Sequence, residues 1–337
     1  MAGEDEMMRR RALIALLGAS TLPWALVARA QPTAKVYRVG LVFGDGPISW
    51  LTESPFAQAF VQALRDLGYV EGQNLLVERR TAEGKVIERT PAIIEDFINR
   101  KVDVIVVGTT RLAREMKRAT NEVPIVMAAS VDPVAMGVVP NLARPGGNVT
   151  GFSAQAGPEI DAKRLQFLKE AAPRISSIAF LGTSRDWETT NAKALRDAAQ
   201  TLGLRLFLAE HTFTDYADAF ATMAKERPDA LFVAIQPASA AHSREIFDFV
   251  MKGRIPATYP WREFVTSGGL MSYGTSVTDL YRRAAGYVDQ ILKGTKAGDL
   301  PIQQPTKFEL VINLRVAKAI GLELSPVLLG QADELVE

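Results

Sequence analysis

The stretch VDVIVVGTT, residues 102–110, decides the fold class of this chain. Residues 104–107 are four apolar β-formers in a row, which predicts a short strand buried on both faces. Glycine and two threonines follow at once, and a threonine in this position commonly caps the first turn of a helix. A buried strand that leads directly into a helix predicts one unit of an α/β protein with a parallel sheet.

The same alternation of apolar run and helical stretch continues on both sides of this segment. Residues 56–67 carry apolar side chains at three- and four-residue spacing, as on one face of a helix. Strands are predicted in a first series at 37–43, 74–79, 102–107, 124–128 and 149–152, and in a second at 177–181, 205–209, 230–235, 257–259 and 270–272. Strict alternation of strand and helix predicts a doubly wound α/β architecture.

The two series follow one plan, which predicts two similar lobes. Residues 102–107, VDVIVV, correspond to residues 228–233, PDALFV, and residues 122–125, EVPI, correspond to 254–257, RIPA. This weak similarity arises either from duplication or from the shared pattern of Rossmann-like units. Length points the same way, because the roughly 300 residues after the N-terminal segment exceed what one hydrophobic core usually supports.

The N-terminal segment has the composition of an export signal. Residues 9–11 are arginines that precede an apolar run, and residues 28–30, Ala-Arg-Ala, place small side chains where signal peptidase reads them. We therefore expect residues 1–30 to be a signal peptide, cleaved between Ala30 and Gln31. The mature chain would reach the periplasm by the Sec or the twin-arginine route. The alternative is an uncleaved membrane anchor, for which the apolar run is short.

Composition excludes several function classes. The 39 Lys and Arg balance 38 Asp and Glu to a net charge of +1, without the basic field of a nucleic-acid binder. The chain has no cysteine, which excludes a disulfide, a thiolate nucleophile and the acylated cysteine of a lipoprotein. His211 and His242 stand in no metal-binding pattern, and no G-x-S-x-G, H-E-x-x-H or P-loop motif occurs. We expect no metal, no cofactor and no enzyme activity, with a Ser–Asp acid–base arrangement as the open alternative.

Ligands of open parallel sheets bind beyond the carboxyl ends of the strands. The residues that follow the predicted strands include small hydroxyls, an amide, tryptophans and a few charges, which suit the lining of a small-molecule cleft. In the first half these candidates are Trp50, Thr109, Thr110, Ser130 and Asp132, and in the second half they are Ser184, Trp187, Gln236, Trp261 and Arg262. Alternatively the hydroxyls only cap helices, the tryptophans cover the local core, and Arg262 pairs with Glu263 at the surface.

Several segments together resemble a known family. They are residues 67–74, 108–110, 123–134, 145–151 and 305–313. In this order they are similar to the ABC-transporter substrate-binding proteins, the family that includes bacterial tryptophan and tyrosine receptors. The resemblance covers about residues 36–325.

The resemblance implies the type I periplasmic-binding-protein fold, with two Rossmann-like lobes of parallel sheets joined by three hinge crossings. The crossings are expected near residues 150–153, 272–276 and 301–305, with Gly151, Ser153, Tyr273 and Gly274 as hinge residues. The first lobe would then comprise residues 31–150 plus 275–300, and the second 151–274 plus 301–325, followed by a C-terminal tail of residues 326–337.

The resemblance also implies a function. The chain is expected to be a periplasmic receptor that binds a small molecule between its lobes and delivers it, as a monomer, to an ABC permease in the inner membrane. A sensory ligand-binding subunit and a doubly wound enzyme are the alternatives. Aromatic-amino-acid receptors of the family place an Asp-Asn pair after the strand that here ends at Ile235, whereas this chain has Gln236-Pro237. With Trp187, Trp261 and Arg262 nearby in the pattern, the hypothesis is an uncharged or anionic aromatic ligand.

Overall fold

The computed structural model describes residues 35–44, 48–155, 157–212, 215–236, 239 and 242–337. The predicted signal peptide, residues 1–30, and its cleavage between Ala30 and Gln31 lie outside these residues. None of the helices within the described ranges is both long and apolar enough to cross a bilayer.

The first lobe is built on a five-stranded sheet in the order β2-β1-β3-β4-β5, and every neighbouring pair is parallel. Its strands are β1 (Tyr37–Phe43), β2 (Leu75–Thr81), β3 (Val104–Val107), β4 (Ile125–Ser130) and β5 (Val149–Ser153). Its helices within the first half of the chain are α1 (Trp50–Glu53), α2 (Pro55–Asp66), α3 (Val86–Asn99) and α4 (Thr110–Ala119). Apolar residues of α2 pack on one face of the sheet, and those of α3 and α4 pack on the other. The central strand β3 is therefore buried on both faces, as the run at residues 104–107 predicts.

The second lobe is built on a seven-stranded sheet in the order β12-β11-β10-β9-β8-β6-β7. The strands are β6 (Ser177–Gly182), β7 (Arg205–Glu210), β8 (Ala230–Val233), β9 (Ala257–Tyr259), β10 (Met271–Thr275), β11 (Phe308–Asn313) and β12 (Glu334–Val336). The helices are α5 (Pro158–Ala171), α6 (Ser184–Trp187), α7 (Thr190–Thr201), α8 (Ala217–Glu226), α9 (Ser243–Gly253), α10 (Arg262–Thr266), α12 (Leu314–Ala319) and α13 (Pro326–Gln331). All pairs are parallel except β10 with β11, which is antiparallel.

The chain passes between the two lobes three times. The first crossing joins β5 to α5, and the second joins β10 to α11 (Val277–Leu292), whose buried side chains pack in the first lobe against α2. A short 3-10 helix, Ala297–Asp299, follows, and Gln303 forms a β-bridge with Phe152 of β5. The third crossing, residues 304–307, then enters β11. Two lobes joined by three crossings are the architecture that the sequence predicts.

The lobe boundaries lie a few residues from their predicted places. β5, with Gly151 and Ser153, pairs along β4 and so belongs to the first sheet. Residues 301–303 also stay with the first lobe, because Ile302 N donates to Leu142 O at 2.7 Å and Gln303 N donates to Gly151 O at 3.0 Å.

The C-terminal residues 326–337 are part of the fold of the second lobe rather than the expected tail. They form α13 and β12, and β12 pairs in parallel with β11, with Val311 opposite Glu334. Leu328 is fully buried in the core of the second lobe. Apolar side chains of this segment pack into the core of the second lobe, and β12 becomes the edge strand of the second sheet.

Candidate functional site

Two cavities stand out in the described part of the chain. The larger, about 470 Å³, is a groove between α3 and α4 lined by Ile87, Ile94, Ile98, Glu115 and Arg118. Its lining comes from these two helices alone, and two of its isoleucines are half-exposed. The smaller lies where β8, β9 and β10 end, beside the first two crossings, which is where ligands of parallel sheets bind. Position therefore makes the smaller cavity the candidate site.

The candidate cavity is small and has apolar, aromatic and polar lining residues. Its free volume of about 10 Å³ admits little more than one water-sized group. The crossings contribute Ala154, Gly157 and Thr275, the strand ends contribute Ile235, Pro260, Trp261, Tyr273 and Gly274, and the helices contribute Ile160, Asp161, Arg164 and Asn191. Apolar and aromatic walls with one cluster of polar groups are typical of small-molecule sites.

The cluster centres on Asp161 and Arg164, which stand three residues apart on α5 and share one face of that helix. Both are buried, and Arg164 Nη2 lies 3.4 Å from Asp161 Oδ1. The guanidinium of Arg164 covers the ring of Phe232 at 3.8 Å and donates from Nη2 to Val233 O at 2.8 Å. Arg164 therefore ties the helix to the end of β8.

Burial dominates the electrostatics of this pair. Desolvation raises the pKa of Asp161 above its ordinary value, while the charge of Arg164 and a hydrogen bond from Asn191 act against that rise. Desolvation likewise lowers the pKa of Arg164 to about 10, opposed by the charge of Asp161. Two polar atoms, Asp161 Oδ1 and Arg164 Nε, have no hydrogen-bond partner among the residues that the structure describes. Each such buried atom costs free energy unless a ligand or water satisfies it.

Sequence reasoning missed Asp161 and Arg164, although a signal was present. With Leu165 and Leu168 they occupy the spacing i, i+3, i+4 and i+7, the buried stripe of a helix. Two opposite charges on an apolar stripe indicate a buried polar site, because such positions normally hold apolar residues.

The predicted hydroxyls of the first lobe serve the fold. Thr109 caps α4 by accepting from Leu112 N at 3.3 Å. Thr110 Oγ1 donates to Val131 O and accepts from Val131 N, each at 2.7 Å. Ser130 is fully buried and donates to Phe152 O at 2.9 Å.

The other two predicted residues of the first lobe lie at the surface. Trp50 begins α1 and is 50% exposed. Asp132 is exposed, has a positive φ of 46° and accepts from Ala135 N at 3.1 Å. Neither lines the candidate cavity.

Two of the predicted residues of the second lobe bond to carboxylates. Ser184 Oγ donates to Glu210 Oε1, and Gln236 Nε2 donates to Asp186 Oδ2. Asp186 Oδ2 also accepts from the backbone N of Thr183 at 2.8 Å, in the capping box of α6. These contacts hold the ends of β6, β7 and β8 together.

The two predicted tryptophans of the second lobe have different surroundings. Trp187 packs edge-on against Phe180, with ring centroids 5.4 Å apart, and Arg196 lies over its ring at 4.7 Å. Trp261 stacks on Phe264 at 6.1 Å and lines the candidate cavity.

Arg262 is the predicted residue whose partner differs most from expectation. Arg262 forms its ion pair with Glu334 of β12 rather than with Glu263. Its Nε donates to Oε2 and its Nη2 donates to Oε1 of Glu334, both at 2.6 Å. The hydrogen bond with Glu334 raises the pKa of Arg262. Glu334 thereby occupies the Nε and Nη2 edge of the guanidinium, one of its two bidentate edges, and neutralises its charge.

The predicted hinge residues lie where the crossings leave the sheets. Gly151 has φ 137°, and a Cβ there would lie 2.1 Å from Met127 O; a Cβ on Gly274 would lie 2.0 Å from Pro260 O. Only glycine fits such close backbone approaches. Ser153 is buried and accepts from Gln155 N at 3.1 Å, while Tyr273 packs against Phe167 with ring centroids 5.0 Å apart.

The crossings are also joined to one another. Thr275 Oγ1, at the second crossing, donates to Ala154 O of the first at 2.9 Å. Gln303, before the third crossing, donates from Nε2 to Tyr287 Oη at 2.8 Å, and Tyr287 donates to Pro301 O at 2.7 Å. Within the described residues, no group of three or more His, Asp or Glu side chains is placed to hold a metal ion.

The arrangement is that of a two-lobed type I periplasmic binding protein, with a polar cavity at the strand ends beside the crossings. Residues 53–336 match the family described as ABC transporter substrate binding protein, so the chain belongs to that family.

Individual relatives agree with this assignment. A tyrosine-binding protein of Clostridioides difficile (strain R20291) is 27% identical over 281 residues, which cover 82% of this chain and 80% of the relative. A conserved domain protein from Vibrio cholerae has a TM-score of 0.76 at 26% identity, with 89% of this chain and 100% of that one covered. A domain from Streptococcus pneumonia in complex with L-Trp has a TM-score of 0.78 at 23% identity, covering 90% and 100%, and shows likeness of fold.

Proposed function

We propose that this chain is a solute receptor that binds a small molecule between its lobes and delivers it to an ABC permease. One observation carries the proposal: a cavity at the strand ends is walled by residues of the crossings themselves, Ala154 and Thr275, which are bonded to each other. The free volume of about 10 Å³ is too small for a whole ligand, so a ligand that binds here must widen the cavity. Binding then changes the packing at the point about which the lobes move. Binding would thereby favour a closed form that a membrane partner can distinguish from the open one.

The proposed cargo is a small aromatic compound. Trp261 and Tyr273 line the cavity, and a tyrosine-binding protein and a domain bound to L-Trp are similar to this chain. Arg262 gives the anionic hypothesis little support, because Glu334 neutralises its charge and binds its Nε and Nη2 edge. We therefore replace the anionic hypothesis by an aromatic ligand whose polar group faces α5.

The remaining parts of the proposal follow from family membership and the N-terminal sequence. The receptor acts in the periplasm, after removal of residues 1–30, and works as a monomer without cofactor or catalysis. Gly151, Ser153, Tyr273 and Gly274 serve as hinge positions. Of the ten candidate binding residues, Trp261 is the one that lines the cavity, whereas Trp50 and Asp132 are exposed and do not line it.

A thermal-shift screen tests this function. The purified protein is heated with L-tryptophan, L-tyrosine, aromatic acids, nucleosides and sugars, and a ligand at about one hundred times its dissociation constant stabilises the fold by about 2.7 kcal/mol. We expect a selective response to aromatic compounds, with the ligand recovered unchanged by mass spectrometry. Conversion of the ligand would favour the enzyme alternative, and a response confined to non-aromatic compounds would contradict the proposed cargo. Reconstitution with the permease separates a transport receptor from a sensory subunit.

A further inference from the structure

Gln303 is the last residue of the chain that stays with the first lobe before the third crossing. Its backbone forms a β-bridge with Phe152 of β5. Gln303 N donates to Gly151 O at 3.0 Å, and Gln303 O accepts from Ser153 N at 2.8 Å. Because β5 leads into the first crossing, the backbone of Gln303 ties the start of the third crossing to the start of the first.

The side chain of Gln303 is bonded to α11, the helix that follows the second crossing. Its Nε2 donates to Tyr287 Oη at 2.8 Å, and its Oε1 accepts from Arg283 Nη2. Tyr287 in turn donates to Pro301 O at 2.7 Å. The backbone N and O and the side-chain N and O of Gln303 thus all have partners in the first lobe.

A layer of aromatic and cationic side chains supports this junction. The ring of Phe152 lies 4.7 Å from that of Tyr287, and the guanidinium of Arg283 lies over the ring of Phe152 at 4.9 Å. Phe152 and Tyr287 are both buried. The ring face attracts the guanidinium, and aromatic pairs stabilise one another at such distances. The side chain of Gln303 therefore bonds to groups whose own positions are fixed by packing.

The third crossing itself, residues 304–307, is held more loosely. Within the described residues its hydrogen bonds are long: Ser276 N lies 3.3 Å from Lys307 O, and Arg283 Nη1 lies 3.4 Å from Thr306 Oγ1. Both distances exceed the usual N–H···O range of about 2.7–3.2 Å. Firm pairing begins again in β11, which belongs to the second sheet. The weak point of the third crossing is thus confined to four residues.

We infer that Gln303 is a positioning residue of the hinge, which fastens the three crossings together on the side of the first lobe. The third crossing then bends within residues 304–307 and not before them. The first and second crossings are already joined through Thr275 and Ala154, so the bending of all three is coupled. A coupled hinge keeps the range of lobe arrangements narrow. This inference goes beyond the proposed function, because it depends on the two-lobed fold and not on what is bound.

Amide hydrogen exchange of the wild-type protein tests the position of the bend. The amide of Gln303 is bonded to Gly151 O, whereas those of Gln304 and Thr306 have no acceptor among the described residues. Relative to intrinsic rates, the Gln303 amide should exchange at least about tenfold more slowly than the other two, because its bond must open first. Equal exchange at the three positions would overturn the inference. This measurement needs no variant.

Distances between the lobes, measured by electron paramagnetic resonance without added ligand, test the coupling. The chain has no cysteine, so spin labels attach only where cysteines are introduced. Arg65→Cys on α2 and Lys193→Cys on α7 place one exposed label on each lobe. In this background Gln303→Ala should widen the distance distribution by at least about 3 Å, roughly the span of one residue of chain.

Two further variants make the test specific. Gln304→Ala is the matched control, because this neighbouring glutamine is exposed and its side chain has no hydrogen bond within the part of the chain that the structure describes. Its distribution should equal that of the wild type. Tyr287→Phe keeps the ring against Phe152 and removes the hydroxyl that Gln303 reaches, so it should widen the distribution even if Gln303→Ala does not fold.

The role of Gln303 in the hinge is separable from a role in stability alone. If Gln303→Ala lowers the melting temperature and leaves the distance distribution unchanged, Gln303 serves only the stability of the first lobe and the inference fails. Equal widening in Gln304→Ala would also overturn it, since the width would not depend on the contacts of Gln303. Neither result bears on the proposed receptor function, because no ligand is present in these measurements.

Discussion

Arg262 and Glu334 form a two-pronged ion pair across 72 residues of sequence, with Nε–Oε2 and Nη2–Oε1 distances of 2.6 Å. It joins the first residue of α10 to the first residue of β12, the last strand of the chain. Both side chains are partly exposed. The pair therefore fixes the C-terminal strand to the second lobe, at a moderate gain in free energy.

The substitution Arg262→Ala should lower the free energy of unfolding by no more than about 1 kcal/mol, because the pair is partly solvated. The dissociation constant of the cargo should stay unchanged, since the fork is turned toward Glu334. Urea unfolding and titration calorimetry measure the two quantities. Glu334→Gln is the matched control and should give a similar loss of stability. A large loss of ligand affinity in Arg262→Ala alone would return Arg262 to the binding site.

Gly274 should tolerate no side chain. A Cβ at this position would lie 2.0 Å from Pro260 O, so Gly274→Ala must displace the end of β9 or of β10. We expect the free energy of unfolding to fall by about 1–3 kcal/mol, as for overpacked sites. Chemical denaturation gives the value.

Gly286→Ala is the control for that variant. Gly286 lies within α11, and a Cβ there would meet nothing within 4 Å. Because alanine favours the helix, this change should be neutral or stabilise by up to about 1 kcal/mol. Equal changes in the free energy of unfolding for Gly274→Ala and Gly286→Ala would show that the close approach of Pro260 O does not exclude a side chain at position 274.

The sequence predicts the strands of the fold well. Each of the ten predicted strand regions overlaps an observed strand, because buried apolar runs such as Val104–Val107 carry their own signal. β11 and β12 were not predicted as strands: Glu334–Val336 is short and carries no periodicity, and it is ordered by pairing with β11. A strand that forms only by pairing with a distant segment has no recognisable pattern in its own sequence.

The site was predicted less completely, for a related reason. Strand-end position predicts a site in the region of Trp261, which lines the candidate cavity, since parallel strands end at a common edge. Residue type alone did not show that Thr110 and Ser130 bond to backbone atoms of other segments, or that Glu334 occupies Arg262. Such partners lie far away in sequence and become visible only in the folded chain.

Thr110 should matter for stability rather than for binding. Its hydroxyl both donates to and accepts from the backbone of Val131, and the side chain is buried. Thr110→Val removes both bonds and leaves two polar backbone groups unpaired, which should cost about 1–3 kcal/mol in the free energy of unfolding. Thr110→Ser keeps the hydroxyl and should retain most of the stability. A variant Thr110→Val with wild-type stability and weakened ligand binding would contradict this assignment.

His211 should make the stability of the second lobe depend on pH. The ring is buried, stacks on Tyr216 with centroids 4.1 Å apart, and bonds through Nδ1 to Thr212 O at 2.7 Å. Burial lowers the pKa of His211 below its ordinary value of 6.5; the bond to Thr212 and the charge of Asp186 act in the opposite direction. Protonation is therefore easier in the unfolded chain than in the folded one.

The sign of the effect follows from this difference in the pKa of His211. Above about pH 6.5 the ring is neutral in both states and its full contribution to stability is present, whereas below it the unfolded state binds the proton first and the free energy of unfolding falls. Urea unfolding at pH 7.5 and 5.5 should show this loss in the wild type, and a smaller loss in His211→Gln, which cannot take up the proton. The substitution removes the titrating imidazole and no other titrating group. If the free energy of unfolding falls equally in both proteins, the pH dependence therefore arises from other groups.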